Sequence, residues 1–346
     1  MRIEAVHQFH PGCAVGDGIT NGMLYARRLL RELGFQSDIY CERIPEALRA
    51  DIRPLQALEL TPNTLLLAHH SLGYENSAWL EAVETPKILV YHNITPAHLL
   101  PENSEIGRAS VLGREQLARW APAYLGAIGD SDTNSEELRA AHYANVATIP
   151  LLVDVDKIRR AAWNTDVPST MRNTINLLFV GRLCANKRQV QLIDLLHEFL
   201  QVTDQPTRLI LVGATTSPDY RQRIETHIRE LGLDSQVVLA GQVSDATLYA
   251  LYRCADAFVC VSEHEGFGMP LIEAAFFDMP VLAYAASSIP GTLGEGGLLS
   301  DDDDPRAMAM QLQQLLSQPA LRRRVIAAQR RNLRRFEASR LRRELA

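Results

Sequence analysis

Short runs of apolar and β-branched residues recur along this chain. Each is followed by a stretch whose apolar positions repeat at helical spacing, the pattern of parallel strands covered by helices on both faces. In the first half the runs predict strands at 2–9, 37–41, 64–69, 87–92, 125–129 and 146–152, and helices at 21–33, 77–83, 105–120 and 134–142. From 154 to 174 the rhythm fades into Asp, Asn, Pro, Ser and Thr, which predicts a linker. A second alternation then begins, with strands at 175–180, 208–212, 237–239, 257–261 and 281–284 and helices at 187–200, 219–231, 245–254, 270–277 and 305–316. The predicted class is α/β: two doubly wound domains, 1–160 and 170–318, and a helical tail at 319–346. Such sheets take ligands beyond the carboxyl ends of their strands, so the residues just after each strand carry the chemistry, and two such edges facing each other would make a cleft.

Composition narrows the function. The 346 residues are 47% hydrophobic, enough for two cores, and the net charge of -6 speaks against general affinity for nucleic-acid phosphates. The charge is uneven: residues 319–346 hold ten Arg and two Glu, a balance of +8 against -14 for the rest. Five scattered cysteines without metal-ligand spacing fit a reducing compartment. No export signal and no long apolar run is apparent, so a cytoplasmic protein is expected.

The most specific segment is EHEGFGMPLIEAA at 263–275, directly after a predicted strand. Pro270 suits the first position of a helix, where its missing N–H costs nothing. That arrangement would leave the amides of Gly268, Met269 and Leu271 at a helix N-terminus, where donors and dipole favour a diphosphate. Gly266 and Gly268 permit close approach of a ligand, with Phe267 between them. Glu265 and Glu273 could each accept two hydrogen bonds, from sugar hydroxyls and from a ribose diol. The plainer reading makes both acids complements of the helix dipole and Phe267 a core residue.

Three further segments follow predicted strands. VGRLCANKR at 180–188 offers Arg182 and Lys187, fixed cations suited to the charge that builds on a departing nucleoside diphosphate. FHPGCAVGDGITNG at 9–22 is a glycine-rich loop in which Gly16, Asp17 and Gly18 would approach a donor, and Asn21 stands where a dinucleotide fingerprint needs its third glycine. VYHNITPAHLL at 90–100 places His92 at a strand end, with His10, His69 and His70 at other strand ends as possible acceptor contacts.

In this order the four segments resemble the retaining family 4 glycosyltransferases, also called glycosyl transferases group 1. The resemblance implies a GT-B fold, two Rossmann-like domains facing across a cleft, with the acceptor on the N-terminal side and the nucleotide sugar on the C-terminal side. It implies catalytic roles for Glu265, Arg182, Lys187 and His92, and donor binding by Gly16, Asp17, Gly18, Gly266, Phe267, Gly268, Met269, Pro270, Leu271 and Glu273. The implied activity moves a sugar from a GDP- or UDP-sugar to a glycan or lipid-linked acceptor in polysaccharide or lipopolysaccharide biosynthesis. One departure is Gly291, in SSIPGT at 287–292, where many relatives carry a glutamate.

No cofactor or metal is expected. Asp130, Ser131 and Asp132 spell a metal-binding triplet, but Thr133 and Glu136 follow in capping-box spacing, so helix capping is the better account. Residues 301–304, four aspartates before Pro305, read as a helix entrance. The Arg-rich tail reads first as a solvated helix face and second as a peripheral grip on anionic lipid at the inner membrane face. The competing functions are a nucleotide-sugar epimerase and a non-catalytic nucleotide-sugar binding protein.

Overall fold

Both halves of the chain build sheets whose strands are apolar on two faces, because helices pack on each side. The computed structural model describes residues 2–215 and 217–346. It divides into two units, one formed by the residues up to Asp154 together with Arg335–Ala346, the other by Val155–Arg334.

The first unit holds β1 (Ala5–Gly12), β2 (Ile39–Arg43), β3 (Arg53–Pro54), β4 (Thr64–His70), β5 (Lys87–Tyr91), β6 (Gly126–Gly129) and β7 (Val146–Thr148). They lie in the order β3-β2-β1-β4-β5-β6-β7, every pair parallel. β4 shows the two-sided burial: Leu66 and Ala68 join Phe9, Leu89, Tyr91 and Trp120 on one face, while Leu67 joins Val6, Leu30 and Val90 on the other.

The second unit repeats the plan with β8 (Ile175–Val180), β9 (Thr207–Val212), β10 (Val237–Gly241), β11 (Ala257–Cys260), β12 (Val281–Tyr284) and β13 (Leu298–Ser300). Their order is β10-β9-β8-β11-β12-β13, again parallel throughout. Leu178, Phe179, Leu211, Phe258, Val259 and Leu282 are almost wholly buried in it. In each sheet the strand order reverses beside the first strand, between β1 and β4 and between β8 and β11, which opens a crevice for ligand at the carboxyl ends.

The structure departs from the pattern where elements are short. β3 and β13 were not predicted, and the expected linker contains two helical segments, Val155–Arg160 and Val167–Thr170. The basic tail is not one segment but is divided between the units. The helix Pro319–Asn332 packs in the second, where Gln329 Nε2 donates to the Met279 carbonyl at 2.8 Å and Arg330 pairs with Asp278 at 2.5 Å. The helix Ala338–Leu345 packs in the first, with Leu341 fully buried against Tyr25 and Leu29 and Arg342 paired with Glu32 at 2.8 Å. Among the described residues no helix is long and apolar enough to cross a membrane, and all five cysteines are free.

Candidate functional site

In the second unit the loops after β8 and β11 flank the crevice. Gly213, just past β9, has φ 148°, and a Cβ there would stand 2.0 Å from the Gly181 carbonyl oxygen, so only glycine lets the two chains pass. The loop then turns through Ala185–Lys187 and through Arg188, at φ 55°, into the helix Gln189–Leu200. Arg188 is spent on structure, bonding Asp303 at 2.6 Å. Gln189 Nε2 donates to the Arg182 carbonyl at 2.9 Å. The Arg182 residue stays exposed, and its guanidinium makes no ion pair or hydrogen bond among the described residues.

Lys187 turns inward. Its Nζ lies 2.5 Å from Glu265 Oε2 and donates to the His264 carbonyl at 3.2 Å, the two side chains being only 12% and 16% exposed. Burial pushes the Cys184 thiol up, while Lys187 and Arg182 favour its thiolate and Glu265 opposes it, so all three charges reach one thiol. The Glu265 carbonyl accepts from the hydroxyls of Ser287 and Ser288, each at 2.8 Å, and Thr292 donates to the Phe267 carbonyl. The SSIPGT segment therefore holds the glutamate turn, a role its sequence did not reveal.

Gly268, at φ 87°, caps the helix Met269–Phe276, and a Cβ on it would press on Leu271 at 2.9 Å. Two expectations change here. Pro270 takes the second helical position, not the first, and the Leu271 N–H donates to the Gly268 carbonyl at 3.0 Å. The amides left facing the helix N-terminus are those of Gly268 and Met269. Phe267 is 5% exposed and Leu271 1%, so both side chains are core. One turn into the helix, Glu273 Oε2 accepts from the Tyr252 hydroxyl at 2.8 Å. Burial pushes this carboxyl up to about 7, against the pull of the Tyr252 bond. Tyr252 was invisible in the sequence, since nothing near it in the chain marks it as a glutamate's partner.

In the first unit Gly16, at φ 76°, is exposed with open space about it, and Gly18 begins the helix Gly18–Glu32. Asp17 is that helix's cap, its Oδ2 accepting from the Thr20 N–H at 2.8 Å and hydroxyl at 2.9 Å. His92 follows β5 with a side chain 5% exposed, and its Nδ1 lies 2.6 Å from Asp130 Oδ2. The acidic triplet does cap a helix, but through Ser131, which accepts from the Asn134 N–H, and not through Thr133, which lies inside the helix Asp132–Ala140; Asp130 turns to the histidine. His10 and His70 are both pushed down to about 4, chiefly by burial, and His70 is tied to the Gly113 carbonyl. Among the described residues no group of three or more His, Cys, Asp or Glu is placed to hold a metal ion.

Residues 168–332 match the family described as glycosyl transferases group 1. The chain is 29% identical over 236 residues to a D-inositol 3-phosphate glycosyltransferase of Kineococcus radiotolerans, covering 61% of this chain and 53% of the relative. It is 28% identical over 268 residues to a phosphatidyl-myo-inositol mannosyltransferase of Mycobacterium leprae, covering 76% and 67%. The match thus spans about half the length of the first of these curated relatives. Among solved structures, HepE of Anabaena in complex with UDP and glucose superposes with a TM-score of 0.72 at 17% identity, covering 99% of this chain and 98% of that one. Residues 168–332, nearly the whole of the second unit, thus match the glycosyl transferases group 1, and the chain has the GT-B fold.

Proposed function

We propose that this protein is a retaining glycosyltransferase that moves a sugar from a GDP- or UDP-sugar to a glycan or lipid-linked acceptor. The observation that carries the reading is the Lys187–Glu265 pair set beside the Gly268 cap, at the switch point of the second sheet. A diphosphate placed there meets Arg182, Lys187 and the amides of Gly268 and Met269, all of which strengthen their hold as the leaving group gains charge. Glu265 takes the sugar hydroxyls and Glu273 the ribose diol. The sugar ionises toward an oxocarbenium-like state, and a donor phosphate oxygen accepts the acceptor's proton on the same face. No second carboxylate is required, as an inverting displacement would want.

Support from relatives is of one kind: those matched are named for glycosyl or mannosyl transfer, and a structural neighbour holds UDP and glucose. Polysaccharide or lipopolysaccharide assembly in the cytoplasm is the corresponding setting. The C-terminal arginines are the candidate contact with anionic lipid, and liposome flotation with and without anionic lipid tests that part. Thermal-shift screening against GDP-, UDP- and ADP-sugars identifies the donor, because a ligand bound only by the folded state raises its melting temperature. Release of free nucleoside diphosphate only when acceptor is present separates transfer from epimerisation. Near-normal transfer by both Glu265→Ala and Lys187→Ala would end the proposal.

A further inference from the structure

A chain of buried hydrogen bonds in the first unit fixes where the protons of His92 sit. Gln8 Nε2 donates to the Met23 carbonyl at 3.0 Å, so its Oε1 is the atom that faces His69 Nε2 at 3.2 Å. An amide oxygen only accepts, so His69 Nε2 carries a hydrogen. Burial, reinforced by the neighbouring His92 and His10, drives His69 to its neutral form, which leaves a lone pair on Nδ1. His92 Nε2 lies 2.7 Å from that lone pair and must therefore be an N–H donor. The two rings lie within 6° of parallel, as an in-plane bond between them requires. The other nitrogen of His92 faces the Asp130 carboxylate at 2.6 Å.

We infer that Asp130 is a positioning residue: it accepts a hydrogen bond from His92 Nδ1–H while His69 accepts one from Nε2–H, so the His92 ring keeps both protons and is a buried cation whose two nitrogens are both engaged. The ring then neither takes the acceptor's proton nor bonds the sugar through nitrogen. What it does is anchor the loop after β5, which is tied down residue by residue. Asn93, at φ 68°, donates to Asn134 Oδ1 at 2.8 Å; Arg114 donates to the Ile94 carbonyl at 2.6 Å; Ser110 donates to the Thr95 carbonyl at 2.6 Å. Met23, Ala26, Leu67, Val90 and Ile149 line an apolar cavity against the array, which keeps water from competing for these bonds. The titratable groups facing the array are Asp130, His69, His10 and His70, the last three held toward their neutral forms by burial, and Asp17 and Arg43 act on His10 from beyond it. The structural assignment stands by itself; its consequence for catalysis rests on the transferase reading.

Nitrogen-15 NMR of the full chain labelled at histidine tests it at pH 7, with His92→Gln to assign the ring. His92 should show hydrogen on both nitrogens and a low-field Nδ1 proton. In Asp130→Asn the negative charge that holds the second proton is gone and the amide can turn its N–H to the ring, so Nδ1 should lose its hydrogen and the low-field signal should vanish. A wild-type His92 with either nitrogen unprotonated overturns the inference, and this holds even if the asparagine variant fails to fold. In a folded variant, kcat should fall by about 10²-fold through misplacement of the loop, while titration with nucleoside diphosphate gives wild-type affinity. Unchanged kcat would reject the positioning role. If no donor supports transfer at all, the NMR result still stands and only the transferase reading fails.

Discussion

The buried Glu273 carboxyl makes the stability of the second unit depend on pH in a measurable way. Its carboxyl ordinarily ionises near 4.5 and is pushed up to about 7 in the folded protein, mainly by burial. A raised carboxyl adds stability that is complete below pH 4.5 and is lost as pH climbs through 7, because the unfolded chain releases the proton first. At about 1.4 kcal/mol per pH unit, ionised Glu273 costs the empty protein about 3 kcal/mol at pH 8. Glu273→Gln removes that cost and weakens the Tyr252 bond, which offsets about 1 kcal/mol. The variant should therefore be more stable than wild type by about 2 kcal/mol at pH 8, or about 4–8 °C in melting temperature for a unit of this size. The difference should shrink toward zero, or reverse, at pH 5.

The same group should report the donor. If a ribose diol donates to Glu273, the bound form is the carboxylate, so binding at pH 6 must expel a proton. Calorimetric titration in two buffers of different ionisation enthalpy counts it. The donor KM should rise as pH falls below 7, and Glu273→Gln should abolish both the proton release and that dependence. A glutamine variant with the same melting temperature difference at pH 5 and pH 8 would refute the burial argument.

Other perturbations follow from the same geometry. Gly213→Ala drives a Cβ into the Gly181 carbonyl, 2.0 Å away, so it should displace the Arg182 loop, lower the melting temperature and weaken nucleotide binding by calorimetry. Leu341→Ala empties a fully buried position beneath the last helix and should cost about 2–5 kcal/mol in denaturant unfolding of the first unit, without weakening nucleoside diphosphate binding. Glu265→Ala frees Lys187, so it should tighten nucleoside diphosphate binding while removing most transfer; weaker binding would contradict the ion pair at 2.5 Å. Turnover should be unchanged in chelator, since Arg182, Lys187 and helix amides supply the positive charge; loss of activity that Mg or Mn restores would reject this.

What could be read from the chain was whatever its local order encodes. The strands Ile175–Val180 and Val281–Tyr284 and the helices Glu105–Trp120 and Asp245–Cys254 stand where periodicity put them, because each spans enough residues to show its repeat. β3 and β13 have two and three residues and show none. The glycine, proline and glutamate spacing of 263–275 announced its turn, since the constraint lies within thirteen consecutive positions. Asp130 and Tyr252 were hidden for the opposite reason: their partners His92 and Glu273 are 38 and 21 residues away, and only tertiary folding brings them together. The capping read from the triplet at 130–132 holds for Ser131, while nothing local shows that Asp130 is the member turned away to a histidine.

The charges of the second unit's crevice imply an order of events. Lys187 and Glu265 neutralise each other in the empty protein, with side chains mostly removed from water, so neither is free to grip a ligand without losing the other. Arg182 is exposed and without a partner among the described residues, and the Gly268 cap directs its helix dipole the same way. On the proposed reading, a nucleoside diphosphate is therefore met first by Arg182 and the amides, and gains little from Lys187. Lys187 is released only when something else satisfies Glu265, and the hydroxyls of a donor sugar are the groups suited to that exchange. On that reading the full cationic set assembles around the leaving group only when a sugar is attached, which would place the electrostatic help where bond breaking needs it rather than in the binding of the product.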